Sequence, residues 1–161
     1  MFATSDLTHS TKPELYRDLT AQCQALIAGE TDPIANMANC AALIFNSVPR
    51  LNWAGFYLLK GGELVLGPFQ GQPACVRIAL GRGVCGMAAE KRSTLRVPDV
   101  TKFPGHIACD AASRSEVVVP LLTADSQLIG VLDVDSPELD RFDGDDEAGL
   151  SAIAAIIASA I

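Results

Sequence analysis

Residues 52–70 read NWAGFYLLKGGELVLGPFQ, in which two runs of aromatic and aliphatic side chains flank Gly61 and Gly62. Runs of this kind are typical of β-strands, and a glycine pair between them predicts a tight hairpin. Four further short runs indicate strands later in the chain. Turn residues join the last two of these runs, so we expect a largely antiparallel sheet. The four later runs are residues 75–80, 94–100, 115–122 and 127–135.

Two helices are predicted before the first strand. Residues 13–28 repeat apolar side chains at helical spacing and end at a glycine. Asp32 followed by Pro33 predicts an N-cap and a first-turn proline for a second helix that ends near Val48.

The strand pattern is also interrupted and then closed by helices. A glycine-rich turn leads into a short helix within residues 81–93, and acidic residues start a final helix at about Asp143. These elements together predict an α+β domain. We expect residues 1–161 to form a single domain, with residues 1–12 as a flexible tail.

Composition limits the classes of function. The 161 residues are 49% hydrophobic and 19% charged, which is enough apolar surface for a core. The net charge of -7 opposes binding to nucleic acid or to an anionic membrane, because both require clustered basic side chains. The first residues lack the pattern of a signal peptide, so we expect a cytoplasmic protein.

Five cysteines make thiol chemistry the first hypothesis, because their density is too low for a disulfide scaffold. Cys23 and Cys40 lie on the apolar faces of predicted helices, where buried thiols act as small hydrophobic groups. Cys75, Cys85 and Cys109 fall in a region rich in glycine and proline. Their position in such a region indicates that these three thiols either react or bind a ligand.

The local surroundings rank these three thiols. Cys85 follows a glycine-rich turn at the start of the short helix, which predicts a lowered thiol pKa. Cys109 lies in the irregular segment 98–112, three residues after His106. Cys75 begins a predicted strand and has no activating neighbour. A zinc site is the alternative, but paired C-x-x-C spacing is missing and His106 with Cys109 is only half a ligand set, so no metal is expected.

Three acidic side chains interrupt apolar strands. Alternation places Asp133 and Asp135 on one face of their strand, and Glu116 enters another strand in the same way. Like charges that share a sheet surface are unfavourable unless water or a cation lies between them. Each carboxylate can be a solvated strand end; if the three converge, they form a pocket for an ammonium group or a proton donor.

Trp53 and Tyr57 share a strand face, with Gly55 between them. Such a pair is either part of the core or one wall of a pocket. Aromatic rings can hold a thioether or sulfoxide methyl group, and a tyrosine hydroxyl can bind a polar oxygen.

Residues 70–121 read QGQPACVRIALGRGVCGMAAEKRSTLRVPDVTKFPGHIACDAASRSEVVVPL, with NWAGFYLL before them and IGVLDVDSP after them. This combination of three cysteines, the PGHIACDAAS loop and paired aspartates resembles the free methionine-(R)-sulfoxide reductases, which use a GAF-type domain. The resemblance implies a mostly antiparallel central sheet with the N- and C-terminal helices on one face. It implies a short helix and a ligand-pocket loop on the other face.

The resemblance also implies a reaction, the reduction of free L-methionine-(R)-S-oxide to L-methionine, with a role in oxidative stress. Cys109 would be the nucleophile, Cys75 the first resolving thiol and Cys85 a further exchange partner. Local surroundings rank Cys85 first instead, so the order of the thiols stays open. Thioredoxin would reduce the resulting disulfide, no cofactor would be needed, and the chain would form a homodimer.

In the same resemblance, Glu116, Asp133 and Asp135 would bind the amino group of the free amino acid, and Trp53 and Tyr57 would line the methyl side. The alternative function is a non-enzymatic GAF module that binds a small ligand or senses oxidants through the same thiols.

Overall fold

The structure, a computed structural model, describes residues 11–107 and 109–161. Helices α1 and α2 precede three strands, α3 and β4 follow, and a strand pair leads into α4. The bounds are α1 Lys12–Ile27, α2 Pro33–Ser47, β1 Trp53–Lys60, β2 Glu63–Gly71, β3 Arg77–Ala79, α3 Gly83–Lys91, β4 Leu95–Val97, a 3₁₀ turn Val100–Lys102, β5 Ser115–Leu122, β6 Leu128–Ser136 and α4 Gly144–Ala158.

The six strands form one sheet in the order β3-β2-β1-β6-β5-β4, and every neighbouring pair is antiparallel. The predicted antiparallel sheet of an α+β domain is therefore confirmed. The register sets Trp53 opposite Asp135 and Gly55 opposite Asp133. On the other side of β6, Glu116 lies opposite Asp135. The centre of the sheet thus brings the aromatic and acidic positions together.

Helices α1, α2 and α4 cover one face of the sheet, and we call them and this face the helical layer. Alternate residues of β1, β5 and β6, such as Phe56, Val117 and Leu132, pack against these helices and are fully buried. Cys23 and Cys40 are also fully buried here, which confirms their prediction as core residues. Leu150 and Ile153 of α4 pack into this core, so the apolar C-terminal helix covers its own sheet.

Helix α3 and the loops cover the opposite face, which we call the site layer. Its core combines the aromatic side chains of β1 with Val118, Val131 and the apolar face of α3. Each strand contributes one set of side chains to the helical layer and the alternate set to the site layer, because successive side chains of a strand point to opposite faces.

Most predicted boundaries agree with the structure to within two residues. Thr11 caps α1 and Lys12 is its first residue, so the predicted tail of residues 1–12 extends too far; residues 1–10 lie outside the described residues. Strand β3 is shorter than the run 75–80 predicted, and Cys75 lies before it. In the described part of the chain, no helix is long and apolar enough to span a membrane.

Candidate active site

Because side chains alternate along a strand, the three acidic side chains of β5 and β6 all lie in the site layer. Glu116 and Asp133 are buried and Asp135 is half-buried, whereas their strand neighbours Val117 and Val134 pack in the helical layer. Because β5 and β6 are paired in register, the three carboxyl groups lie side by side on one face. Of the two alternatives that the sequence left open, solvated strand ends or a converging cluster, the fold contains the cluster.

A cavity of about 30 Å³ lies beside these carboxylates. That is room for about two water molecules and far less than the roughly 300 Å³ of a small-molecule pocket. Trp53 and Cys75 lie outside the described lining, and the other predicted site residues form part of it. Those residues are Tyr57, Cys85, Cys109, Glu116, Asp133 and Asp135.

A disulfide joins Cys75 to Cys109, with Cα atoms 5.3 Å apart across 34 positions of sequence. It ties the segment before β3 to the irregular loop that carries His106, and Cys109 lines the cavity. The Tyr57 hydroxyl donates a hydrogen bond to the Cys75 carbonyl oxygen at 3.0 Å. The aromatic strand and the disulfide are thus connected directly.

Cys85 lies at the start of α3 and points toward the carboxylates. Its thiol donates to Asp133 Oδ2 at 3.2 Å, and its sulfur lies 3.8 Å from Glu116 Oε1. Gly86 allows this placement, because a Cβ at that position would overlap with the Ala79 carbonyl oxygen of β3. The close packing of α3 against β3 fixes the thiol beneath the loop.

The predicted low pKa of Cys85 is wrong. Burial raises the pKa of this thiol well above its usual value, and the nearby charges of Asp133 and Glu116 raise it further. The helix N-terminus favours a thiolate, but removal from water and two adjacent carboxylates outweigh it. Cys85 is therefore a neutral thiol that donates a hydrogen bond in this state.

The three carboxyl groups are also shifted toward their neutral forms. Burial raises the pKa of Asp133 to about 6, and burial followed by the charge of Asp133 raises the pKa values of Glu116 and Asp135. Carboxylates this close in a buried site cannot all ionise without a cation. Asp133 Oδ1 is buried and has no hydrogen-bond partner among the described residues. The site therefore has an acceptor ready for a ligand.

In the sequence, His106 and Cys109 form half of a possible metal-ligand set. The structure does not favour that half-site, because the Cys109 sulfur is in the disulfide. A different group, Cys85 with Glu116 and Asp133, has one donor atom per residue within 4.8 Å of the others. Sulfur with two carboxylates would suit a borderline ion such as zinc.

The aromatic pair forms a stack behind the cavity. Trp53 stacks on Phe69 with ring centroids 5.3 Å apart and on Tyr57 with centroids 6.0 Å apart. The Trp53 indole N–H donates to the Gln72 carbonyl oxygen at 3.1 Å. Gly55 is required here, because a Cβ would overlap with Phe69 and the Trp53 ring. Trp53 supports the wall that Tyr57 presents to the cavity.

Comparison with known proteins decides the family. The GAF domain family model matches residues 35–161. Free methionine-R-sulfoxide reductase of Escherichia coli is 54% identical over 144 residues, which cover 89% of this chain and 87% of the relative. The enzyme of the same name from Saccharomyces cerevisiae is 41% identical and covers 91% of this chain and 85% of the relative. The chain belongs to the free methionine-R-sulfoxide reductase family of GAF-domain proteins.

A solved structure of this family agrees with the fold in detail. The free methionine-R-sulfoxide reductase of Neisseria meningitidis, determined in complex with its substrate, superimposes with a TM-score of 0.92 at 47% identity. The match covers 98% of this chain and 93% of that chain. The arrangement expected from the family resemblance, with terminal helices on one face and a pocket loop on the other, is confirmed by the GAF fold seen here.

Sequence reasoning missed several polar residues at this reductase-family site. Arg82 and Ser113 line the cavity. Asn52 Nδ2 donates to Asp110 Oδ2 at 2.9 Å and to Ser113 Oγ at 3.0 Å, so it ties the start of β1 to the loop. The position of Asn52 directly before the aromatic strand was a signal available in the sequence. Arg82 and Ser113 are brought in by tertiary contacts alone.

Proposed function

We propose that this chain is an enzyme that reduces free L-methionine-(R)-S-oxide to L-methionine through its cysteine thiols. The observation that carries the proposal is the Cys75–Cys109 disulfide beside a cavity that holds three carboxyl groups and a third thiol. A disulfide between these two cysteines is the product expected after one turnover. The named relatives from Escherichia coli and Saccharomyces cerevisiae support the same substrate.

The carboxyl groups are proposed to bind the amino group of the free substrate. The unpartnered Asp133 Oδ1 and the adjacent Asp135 and Glu116 offer acceptors to an ammonium group, which would also restore the ionised forms of the two aspartates. Arg82, which lines the same cavity, would bind the substrate carboxylate. Tyr57, with Trp53 behind it, would contact the methyl side. A peptide-bound methionine sulfoxide lacks the ammonium group and would be excluded.

The reaction is proposed to begin at Cys109. Its thiolate attacks the sulfoxide sulfur, and the oxygen moves to the cysteine as the sulfur–oxygen bond of the substrate breaks. Methionine and a Cys109 sulfenic acid result. Glu116 is the proposed proton donor, because its raised pKa keeps a proton available nearer neutral pH.

Cys75 is proposed to resolve the sulfenic acid. Its thiol condenses with Cys109–SOH, a sulfur–sulfur bond forms and water leaves. A dithiol donor of the thioredoxin type would then reduce this disulfide by thiol–disulfide exchange. Cys85 is proposed as a further exchange partner, and its raised pKa supports a later position in the order than the local sequence suggested.

The disulfide state is proposed to be closed to substrate. A cavity of about 30 Å³ is too small for an amino acid, so the Cys109 loop must move when the disulfide is reduced. We expect calorimetry to show binding of methionine sulfoxide to reduced Cys109→Ser protein and none to the oxidised wild type. Equal binding by both forms would contradict this closure.

A homodimer is proposed as the working assembly. The groove between α1 and α4, which contains Tyr16, Ala148 and Ala152, is a candidate for contact with a second copy. Light scattering coupled to gel filtration should give twice the chain mass, and a single chain mass at micromolar concentration would refute the dimer.

The central experiment measures turnover. Reduced protein with dithiothreitol should consume many equivalents of free L-methionine-(R)-S-oxide per chain, while the N-acetylated compound should react far more slowly. No consumption would refute the enzyme. Consumption of only one equivalent of the sulfoxide per chain would instead favour the redox-sensing GAF module, because a cavity that is closed in the disulfide state would also suit a sensor.

A further inference from the structure

A second pair of cysteines lies far from the chemistry described above. Cys23 of α1 and Cys40 of α2 have their sulfur atoms 2.6 Å apart, which is closer than two non-bonded sulfur atoms normally approach. Both side chains are fully buried and both belong to the helical layer. The two helices therefore present a preformed thiol pair.

This pair is separated from the candidate active site by the sheet. Cys85 packs in the site layer, whereas Cys23 and Cys40 pack against the opposite sheet face with Phe56 and Leu132. A sulfur in one layer cannot attack a sulfur in the other without unfolding of the strands between them. The pair therefore takes no part in the proposed thiol exchange among Cys75, Cys85 and Cys109.

We propose that Cys23 and Cys40 are a second, independent redox site, at which a disulfide staples α1 to α2 under oxidising conditions. Hydrogen peroxide, a small neutral oxidant, converts one thiol to a sulfenic acid and is itself reduced to water. The second thiol then attacks the sulfenic sulfur, the sulfur–sulfur bond forms and a second water leaves. Two thiols have given up two hydrogen atoms in total.

The surroundings make this site slow to react and slow to be reversed. The Cys23 thiol and burial both raise the pKa of Cys40, so little thiolate is present for reaction with the oxidant. Full burial also keeps a protein reductant away from the disulfide once it has formed. We therefore expect the staple to form after the Cys75–Cys109 disulfide and to persist when that disulfide is reduced.

The staple would stabilise the folded chain. It closes a short loop between residues 17 positions apart and so restricts the unfolded state. We expect the melting temperature to rise by roughly 5–10 °C from this loop and chain length. The inference does not depend on the proposed function, because it requires only the two helices and an oxidant.

Peptide mapping tests the staple directly. Trypsin should release residues 18–50 as one peptide that contains both Cys23 and Cys40, while Cys75, Cys85 and Cys109 fall in three other peptides. The protein is treated with hydrogen peroxide, then denatured and alkylated with N-ethylmaleimide. We expect the 18–50 peptide to lose two hydrogen atoms and carry no alkyl group. Two alkyl groups after prolonged oxidation, or a link to another peptide, would overturn the proposal.

A double variant, Cys23→Ala with Cys40→Ala, provides the matched control. Reduced and peroxide-treated samples of both proteins are melted in parallel, so that effects of the Cys75–Cys109 disulfide cancel. The oxidised wild type should gain roughly 5–10 °C more than the variant gains. Equal gains would overturn the stabilising role, and the peptide mass remains decisive if the variant does not fold.

Discussion

Two buried aspartates, one in each layer, differ in how completely their carboxylate oxygens are paired. Asp146 in the helical layer receives both hydrogen bonds of an Arg141 nitrogen at 3.1 Å and one from the Tyr16 hydroxyl at 2.9 Å. Asp133 in the site layer receives a weak thiol donor and leaves Oδ1 without a partner among the described residues. A buried charge with full pairing holds a structure together, whereas one left unpaired is available to a ligand.

The difference extends to the rest of each layer. The helical layer combines its buried ion pair with a core of apolar side chains from three helices and the sheet. The site layer places Glu116 and Asp133 beside a thiol, an arrangement that costs free energy until a cation arrives. Stability and chemistry are therefore separated by the thickness of one sheet, and substitutions on the two sides should have different effects.

The largest expected effect is on the site side. Cys109→Ser should lower kcat by roughly 10³-fold or more, because it removes the proposed nucleophile. A single-turnover experiment with the reduced variant should also release no methionine. Cys40→Ala on the helical side is the control and should keep the wild-type turnover number per folded chain. Retained turnover in Cys109→Ser would transfer the nucleophile role to Cys85.

The next effect is on the helical side. Arg141→Met removes the guanidinium that donates to both carboxylate oxygens of Asp146 and leaves Lys12 as the remaining cationic partner. It should lower the free energy of unfolding by about 3 kcal/mol, as measured by urea titration. Activity per folded molecule should be unchanged. Arg77→Met removes an exposed pair with Glu63 and should cost less than about 1 kcal/mol. An equal loss of unfolding free energy in both variants would show that the buried ion pair stabilises the fold no more than the exposed one.

A smaller effect is expected for the amino-group contact. Asp133→Asn should lower kcat/KM for free methionine sulfoxide by about 10²-fold, because a buried charge contact to the ammonium group is lost. Asp135→Asn should act in the same direction. The N-acetylated compound should show no such loss. Unchanged kinetics in both variants would refute the ammonium-binding role.

The smallest effect concerns pH. With Asp133 at a pKa of about 6 when folded and 3.8 as its reference value, the folded state keeps a proton between pH 4 and 6 that the unfolded state has released. Stability attributable to Asp133 should therefore be present below pH 4, decrease by about 2 kcal/mol as the pH rises to 6, and stay constant above it. Asp133→Asn should reduce this decrease and be more stable than the wild type at pH 8.

Urea titrations at several pH values would check this behaviour. Asp125→Asn, which alters an exposed carboxylate in the 123–126 turn, should leave the pH profile unchanged. If the wild type became more stable relative to Asp133→Asn as the pH rose from 4 to 6, the raised pKa of Asp133 would be contradicted.

Much of this arrangement could be predicted from local pattern. Period-two alternation placed Asp133 and Asp135 on one face and Leu132 on the other, and the cap at Asp32 began α2 as expected. Local pattern failed for the Cys85 pKa, because Asp133 and Glu116 come from strands 48 and 31 positions away in sequence.

Tertiary contacts also explain the other omissions. The close approach of Cys23 and Cys40 depends on how two helices pack, which their separate apolar patterns do not specify. Arg82 and Ser113 reach the cavity only because α3 and the loop fold over the sheet. Sequence patterns predict which face a residue occupies, but not which residues from distant segments it meets.

Trp53 is the single tryptophan of the chain, and its indole N–H is bonded to Gln72, three residues before Cys75. Tryptophan emission from this protein therefore comes from one known position next to the segment that the disulfide holds. Reduction of Cys75–Cys109 should release that segment, change the polarity around the indole and shift the emission maximum. The molecule thus contains its own optical reporter, with which opening of the loop can be followed in real time without a label.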